Sequence, residues 1–269
     1  MTQRRCAVLL GVMVLAWGSV AGAAAKPASK VDPAAVAALD KMGAFLRAQR
    51  TFTVDAEVAT DDVLPSGQKV KYQGLAELKV RRPDRMRAEI NADRRKQTMF
   101  YDGTTFTVHD LDTNYFASFA APPTLRELAE VAENRYGIDL PLADLFTWGT
   151  GESNAGLKSA VDLGPSTVKG APCRHYAFHQ NDVDWQVWIQ DGDAPLPRRL
   201  VITTSSERSE PEHDVVMSWN LSPDFPDKAF VFTPPPGSEK IDFTPMPAMA
   251  GSPKPKPSNA APAAPGAAQ

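Results

Sequence analysis

Cys173, His175 and His179 carry the donor atoms in this sequence that a transition metal would seek. They share parity along one stretch, so on a strand all three face the same way. A thiolate with two imidazoles suits Zn²⁺ or copper. Distance argues against that use. Strand positions four apart are separated by ~13 Å, and one metal cannot touch both Cys173 and His179. Cys173 with His175 would need ligands from another strand, such as His109 or His213. A small buried thiol beside a hydrogen-bonded imidazole is the plainer reading, and no metal or other cofactor is expected.

Covalent chemistry finds no better footing. The sequence holds no G-x-S-x-G, and its serines fall in turns or at polar strand ends. Asp182 and Asp184 could act as paired carboxylates only across a cleft, and both also read as solvating charges at a hairpin end. Asp191 and Asp193 suggest a calcium loop, but the full spacing and its closing Glu are missing. The expectation is a binding protein, not an enzyme.

The aromatic residues point to the elements that must do the positioning. In 182–205, Val183, Trp185, Val187 and Ile189 alternate with Asp184, Gln186, Trp188 and Gln190. That period of two marks a strand with one buried face. Asp191-Gly192-Asp193 supplies turn chemistry, and a second strand runs from Arg198 to Ser205. This long antiparallel hairpin is expected in the middle of a large curved sheet that forms the functional surface. Trp185 and Trp188 face opposite sides. One belongs to the core, and the other is covered by a helix or loop or marks an exposed patch.

Both ends of the chain read as lying outside the fold. Arg4 and Arg5, the apolar run Cys6–Trp17 and Ala23-Ala24-Ala25 compose a secretory signal over residues 1–25. Its apolar run is short for a membrane span of ~20 residues. Cleavage would leave Cys173 as the only cysteine, so the core must hold the fold without an internal disulfide. It would also take Arg4 and Arg5, moving the net charge from −3 to −5, and no basic stripe points to nucleic acid. Residues 244–269 are Pro, Ala, Lys and Ser, too poor in large apolar residues to offset ordering entropy, and read as a disordered tail. Residues 26–243 are left as one domain, long enough to bury a core.

Within that domain a first helix spans 31–49, with Asp32 as N-cap and Pro33 at its first position. Strands follow at 51–60, 69–81, 85–92, 97–101, 104–109 and 115–119, joined by tight turns that make neighbours antiparallel. Thr124-Leu125-Arg126-Glu127 is a capping box opening a helix to about Tyr136, with Leu125 and Leu128 on its apolar stripe. The short segment 140–148 carries Leu142, Leu145, Phe146 and Trp148, flanked by Gly149 and Gly151. Strands return at 157–163, 167–168, 173–180, the hairpin and 215–221. About ten strands with few helices, and no βαβ order, give an α+β class. It is a single curved antiparallel sheet with helices covering its concave face.

Several stretches carry a family resemblance. Tyr101-Asp102-Gly103-Thr104-Thr105-Phe106-Thr107-Val108-His109-Asp110 and Phe230-Val231-Phe232-Thr233-Pro234-Pro235-Pro236-Gly237 resemble the LolA/LolB-like lipoprotein carriers. Cys173-Arg174-His175-Tyr176-Ala177-Phe178, Asp184-Trp185-Gln186-Val187-Trp188-Ile189 and Pro195-Leu196-Pro197-Arg198-Arg199-Leu200 are similar to a family of predicted periplasmic proteins in the same superfamily. The resemblance implies a LolA-like half-open barrel with helices as a lid over an apolar cavity. It also implies a periplasmic location and a lipid or lipoprotein acyl chain as ligand. Candidate cavity and lid residues are Leu125, Leu128, Leu142, Leu145, Phe146, Trp148, Trp185, Val187 and Ile189, with Gly149 and Gly151 as a hinge. The same side chains could instead fill a solid core, which would suit an envelope interaction or sensor module. Another envelope protein or transient contact with a membrane surface is a further expected partner, and a monomer is the expected state.

Overall fold

The computed structural model describes residues 30–148, 154 and 156–246. The expected signal at 1–25, the hinge glycines Gly149 and Gly151, and the tail beyond residue 246 lie outside the described residues.

Helix α1 (Pro33–Ala48) begins where the sequence places it. The Asp32 carboxylate accepts the Ala34 N–H at 2.9 Å, and Pro33 occupies the first turn, where no amide hydrogen is needed. Strands β1 (Thr51–Val63) and β2 (Lys69–Arg81) form a long hairpin in register from Thr51 opposite Arg81 to Val63 opposite Lys69. The meander continues through β3 (Arg85–Ala92), β4 (Arg95–Tyr101), β5 (Thr105–Asp110) and β6 (Tyr115–Ala120). Helix α2 (Leu125–Tyr136) opens on Thr124, whose hydroxyl oxygen accepts the Glu127 N–H while the hydroxyl donates to the Glu127 carboxylate at 2.8 Å. It ends at Gly137, which adopts the left-handed conformation a side chain would oppose. A one-turn helix α3 (Asp144–Thr147) follows.

The second half is another meander. It comprises β7 (Ser159–Val168), β8 (Ala171–His179), β9 (Val183–Gln190), β10 (Pro197–Thr204) and β11 (Glu212–Asn220), then a 3₁₀ turn at Asp227–Phe230. All the strands join one sheet in the order β12-β6-β5-β4-β3-β2-β1-β11-β10-β9-β8-β7, where β12 is the pair Glu239–Lys240. Every pairing is antiparallel except that of β12 with β6.

Three expectations are corrected here. The sheet has twelve strands, not about ten. β12 is an added strand, while the two stretches expected on either side of Pro165 run together as the single strand β7. A bulge between Asp162 and Gly164 carries β7 through, with Gly164 at positive φ and its N–H donating to the Asp162 carboxylate at 2.9 Å. The 182–205 hairpin is also not central. Strand β11 pairs with both β10 and β1, so the two meanders lie side by side and the centre falls at β2 and β1.

The core fills the space between the sheet's covered face and the helices. Leu39, Met42 and Leu46 of α1 and Leu125, Leu128 and Ala132 of α2 meet Phe52, Val54, Leu78, Met86, Met99 and Phe106 of the sheet. Each of the Leu, Met, Val and Phe side chains among them contributes about 1.5–3 kcal/mol by leaving water. The outer face carries a smaller cluster of Val168, Cys173, Trp188 and Val201. Among the described residues no helix is long and apolar enough to cross a membrane.

Candidate functional site

Inward parity on β1 to β3 continues past the helices. Val58 and Thr60 on β1, Tyr72, Gly74 and Ala76 on β2, and Ile90 and Ala92 on β3 extend the covered face toward the end away from α1. Several of these side chains are small. Gly74 is small because it must be: a Cβ there would stand 2.4 Å from the Cβ of Ala92 and 2.8 Å from its Cα. Large side chains do not fill this end, and neither α1 nor α2 reaches it.

What covers it is the segment leaving α2. Gly137 stops the helix, Pro141 keeps the chain from resuming it, and Leu142 takes a left-handed conformation at φ 58°. That conformation costs a branched side chain about 1–3 kcal/mol. It turns the chain into α3, where the Leu145 N–H donates to the Leu142 carbonyl at 3.0 Å. Beyond α3 the Arg47 guanidinium donates to the Trp148 carbonyl at 3.0 Å. Arg82 lies nearby between Phe52 and Phe146, its Cζ 6.0 and 5.7 Å from the two ring centroids. Its Nε and Nη2 are buried without a hydrogen bond, and burial together with Arg47 lowers its pKa.

Between this segment and the sheet lies a hollow of about 190 Å³. Ala76, Ile90, Leu140, Leu142, Leu200 and Val215 supply much of its apolar wall. An engineered apolar cavity of about 150 Å³ holds a benzene ring, so the space is that of a ring or a short alkyl segment.

The polar groups on the wall are mostly satisfied within the protein. Arg94 donates to the Asp62 carboxylate and to the Tyr72 hydroxyl, both at 3.1 Å. Arg95 donates to the Gln97 side chain at 2.7 Å; burial lowers its pKa, while Asp139 and Asp110 oppose that shift. His213 Nδ1 lies 2.8 Å from the Thr60 hydroxyl, and burial pushes the imidazole toward its neutral form. Burial raises the carboxyls of Asp139 and, behind it, Glu133. Asp144 stands apart. Burial pushes its carboxyl up to about 6, and its own backbone N–H is the single hydrogen bond opposing that shift.

The sequence candidates divide unevenly around this hollow. Leu142 lines it. Leu125, Leu128, Leu145, Phe146, Trp148, Trp185, Val187 and Ile189 are buried in the packed core. Trp185 stacks on Phe178 with ring centroids 4.1 Å apart, and its indole N–H donates to Gln180. Sequence reasoning missed Ile90, Leu200, His213, Val215 and Asp144 as wall residues. Parity placed Ile90 and Leu200 on definite faces, but no local signal says where helical cover ends.

The chemistry-bearing residues of β8 lie on the outer face instead. Cys173 is fully buried, its thiol donating to the Ala171 carbonyl and its pKa raised by burial. His175 accepts or donates at Gln186, 3.0 Å away, and stacks on Trp188 with centroids 3.8 Å apart. His179 pairs with Asp184. Among the described residues, side chains of the sheet's own strands shield Trp188, not a helix or loop, contrary to either expectation for a shielded tryptophan. It sits in register between His175 and Arg199, whose Cζ is 4.9 Å from its ring. Among the described residues no group of three or more His, Cys, Asp or Glu could hold a metal ion.

With this geometry in place, comparison with known proteins is informative chiefly at the family level. No curated protein matches the chain. Similar solved structures include an uncharacterized conserved protein from Thermus thermophilus, at 11% identity and a TM-score of 0.46, covering 78% of this chain and 99% of that one. LprF from Mycobacterium bovis follows at 12% and 0.44, covering 73% and 97%. A LolA superfamily protein from Nitrosomonas europaea stands at 14% and 0.34, covering 74% and 97%. At such identities and scores these likenesses say nothing of function. Residues 35–244 match the family described as "Predicted periplasmic protein (DUF2092)", and the chain belongs to that family.

Proposed function

We propose that the protein is a periplasmic carrier that binds a hydrophobic or amphiphilic molecule in the hollow beneath segment 138–144, without covalent chemistry. The observation that carries this reading is the hollow itself, with Ala76, Ile90, Leu200 and Val215 on its sheet wall and a segment with one strained residue lying over it. The ligand would be a lipid or lipoprotein acyl chain, or the end of one. Each methylene buried there is worth about 0.8 kcal/mol, and a hollow of this size takes about six heavy atoms at the roughly 30 Å³ that a liquid water fills. A longer chain would have to displace the cover. Native mass spectrometry after gentle purification, with displacement of a fluorescent fatty-acid probe, tests the reading. Co-purified ligand or probe uptake that is lost in Ala76→Phe is expected. A ligand-free protein that ignores the probe would overturn it.

A second reading is an envelope interaction or sensor module. It is supported by the dense packing of Leu125, Leu128, Phe146 and Trp185 where a larger cavity was expected. Removal of residues 244–269 separates the two. Loss of partner capture with probe uptake intact favours the module.

A further inference from the structure

We infer that the hollow takes an amphiphile with a cationic amine head, its apolar part against Ala76, Ile90 and Leu200 and its ammonium against the Asp144 carboxylate. This deepens the reading above and rests on the hollow being a ligand site.

The other charged groups around the hollow are already satisfied within the protein. Arg94 has Asp62 and the Tyr72 hydroxyl, Arg95 has Gln97 and the nearby Asp139 and Asp110, and His213 has Thr60. Asp144 lines the same space with no cation and no hydrogen bond from another described residue. Asp144 is half-buried, with part of its surface open to the hollow, and a carboxylate partly withdrawn from water is costly unless something pairs with it.

The charges around the hollow point the same way. Its two arginines face Asp62, Asp139 and Asp110, so they are already matched. Asp144 is surplus, and its charge is near enough to help raise the Glu133 carboxyl, so the field here is negative. An ammonium entering this site gains a partner that is screened less than a surface charge would be. A fatty acid of equal length would bring a second carboxylate into the same field. The alcohol lies between them, with equal apolar surface and no charge. Size fits a head and a short apolar segment, since about 190 Å³ holds roughly six heavy atoms.

The test uses the full chain and a matched six-carbon series at pH 7.5: hexylamine, hexanol and hexanoate, titrated by calorimetry. Hexylamine is expected to bind at least tenfold tighter than hexanol, with hexanoate weakest. Asp144→Asn should abolish the amine's advantage and leave hexanol affinity within about twofold. If hexanol or hexanoate matches the amine, or if Asp144→Asn keeps the amine preference, the amine inference falls while the hollow stands as an apolar site. If no member of the series binds at millimolar concentration, the hollow reading falls and this inference with it.

Discussion

Asp144→Asn offers a direct test of the electrostatics around the hollow through folding stability alone. The Asp144 carboxyl is pushed up to about 6 from an ordinary 3.8, with burial as the cause. A carboxyl whose folded pKa lies above its unfolded one binds an extra proton in the folded state between those values. Stability therefore falls as pH rises through that window and stays low above it. At about 1.4 kcal/mol per pKa unit, the cost at neutral pH reaches about 3 kcal/mol, less whatever solvent in the hollow screens. Asparagine keeps the shape and removes the charge. It also relieves the repulsion that helps raise Glu133. Urea unfolding of both proteins from pH 3.5 to pH 8 should show equal stability at the acid end. The variant should become about 2–3 kcal/mol more stable by pH 7.5. A gain of equal size at every pH would mean that packing, not charge, is responsible. No gain at pH 7.5 would refute the placement of an uncompensated carboxylate at this position.

Other perturbations bear on the fold and the hollow. Ala76→Phe should occupy the hollow with little loss of stability, under about 1.5 kcal/mol, because its ring enters existing space and not a packed core; thermal unfolding and probe uptake read the two effects. Gly74→Ala should cost about 1–3 kcal/mol, since the added Cβ meets Ala92 on the neighbouring strand and β2 must part from β3; denaturant unfolding measures it. Trp188→Ala should cost about 3 kcal/mol or more in the same assay, as it removes the outer-face cluster's largest member and exposes Cys173 to thiol reagents. Thr124→Ala should cost about 1 kcal/mol by leaving the Glu127 amide without its acceptor.

Much of this architecture is legible in the residues. The caps at Asp32 and Thr124 and the stop at Gly137 are local chemistry, and each forms as its side chain or backbone dictates. The alternation in β2 and β9 states which side chains go inward, and Leu78, Val80, Trp185 and Val187 all do. What is not legible depends on distant pairings. Glu239 and Lys240 have no alternation to announce a strand; they become β12 because the returning chain meets β6. The cover over Trp188 comes from the register of three strands, which places His175 and Arg199 on either side of it. The hollow is harder still to anticipate. It needs small residues on β2 and β3 to stand opposite one another, and it needs Leu142 to adopt a conformation that leucine does not favour.

The two rims of the sheet bear on how copies of this protein meet. On one side, β12 occupies part of β6. On the other, the amides of Asp32 and Ala160 tie residues 30–32 to β7, and a bulge and Pro165 break what remains. An uninterrupted row of free amides and carbonyls is what lets one sheet recruit another into a fibril. Here each margin is short, bent or already taken, so crowding should not drive this molecule to stack edge on edge.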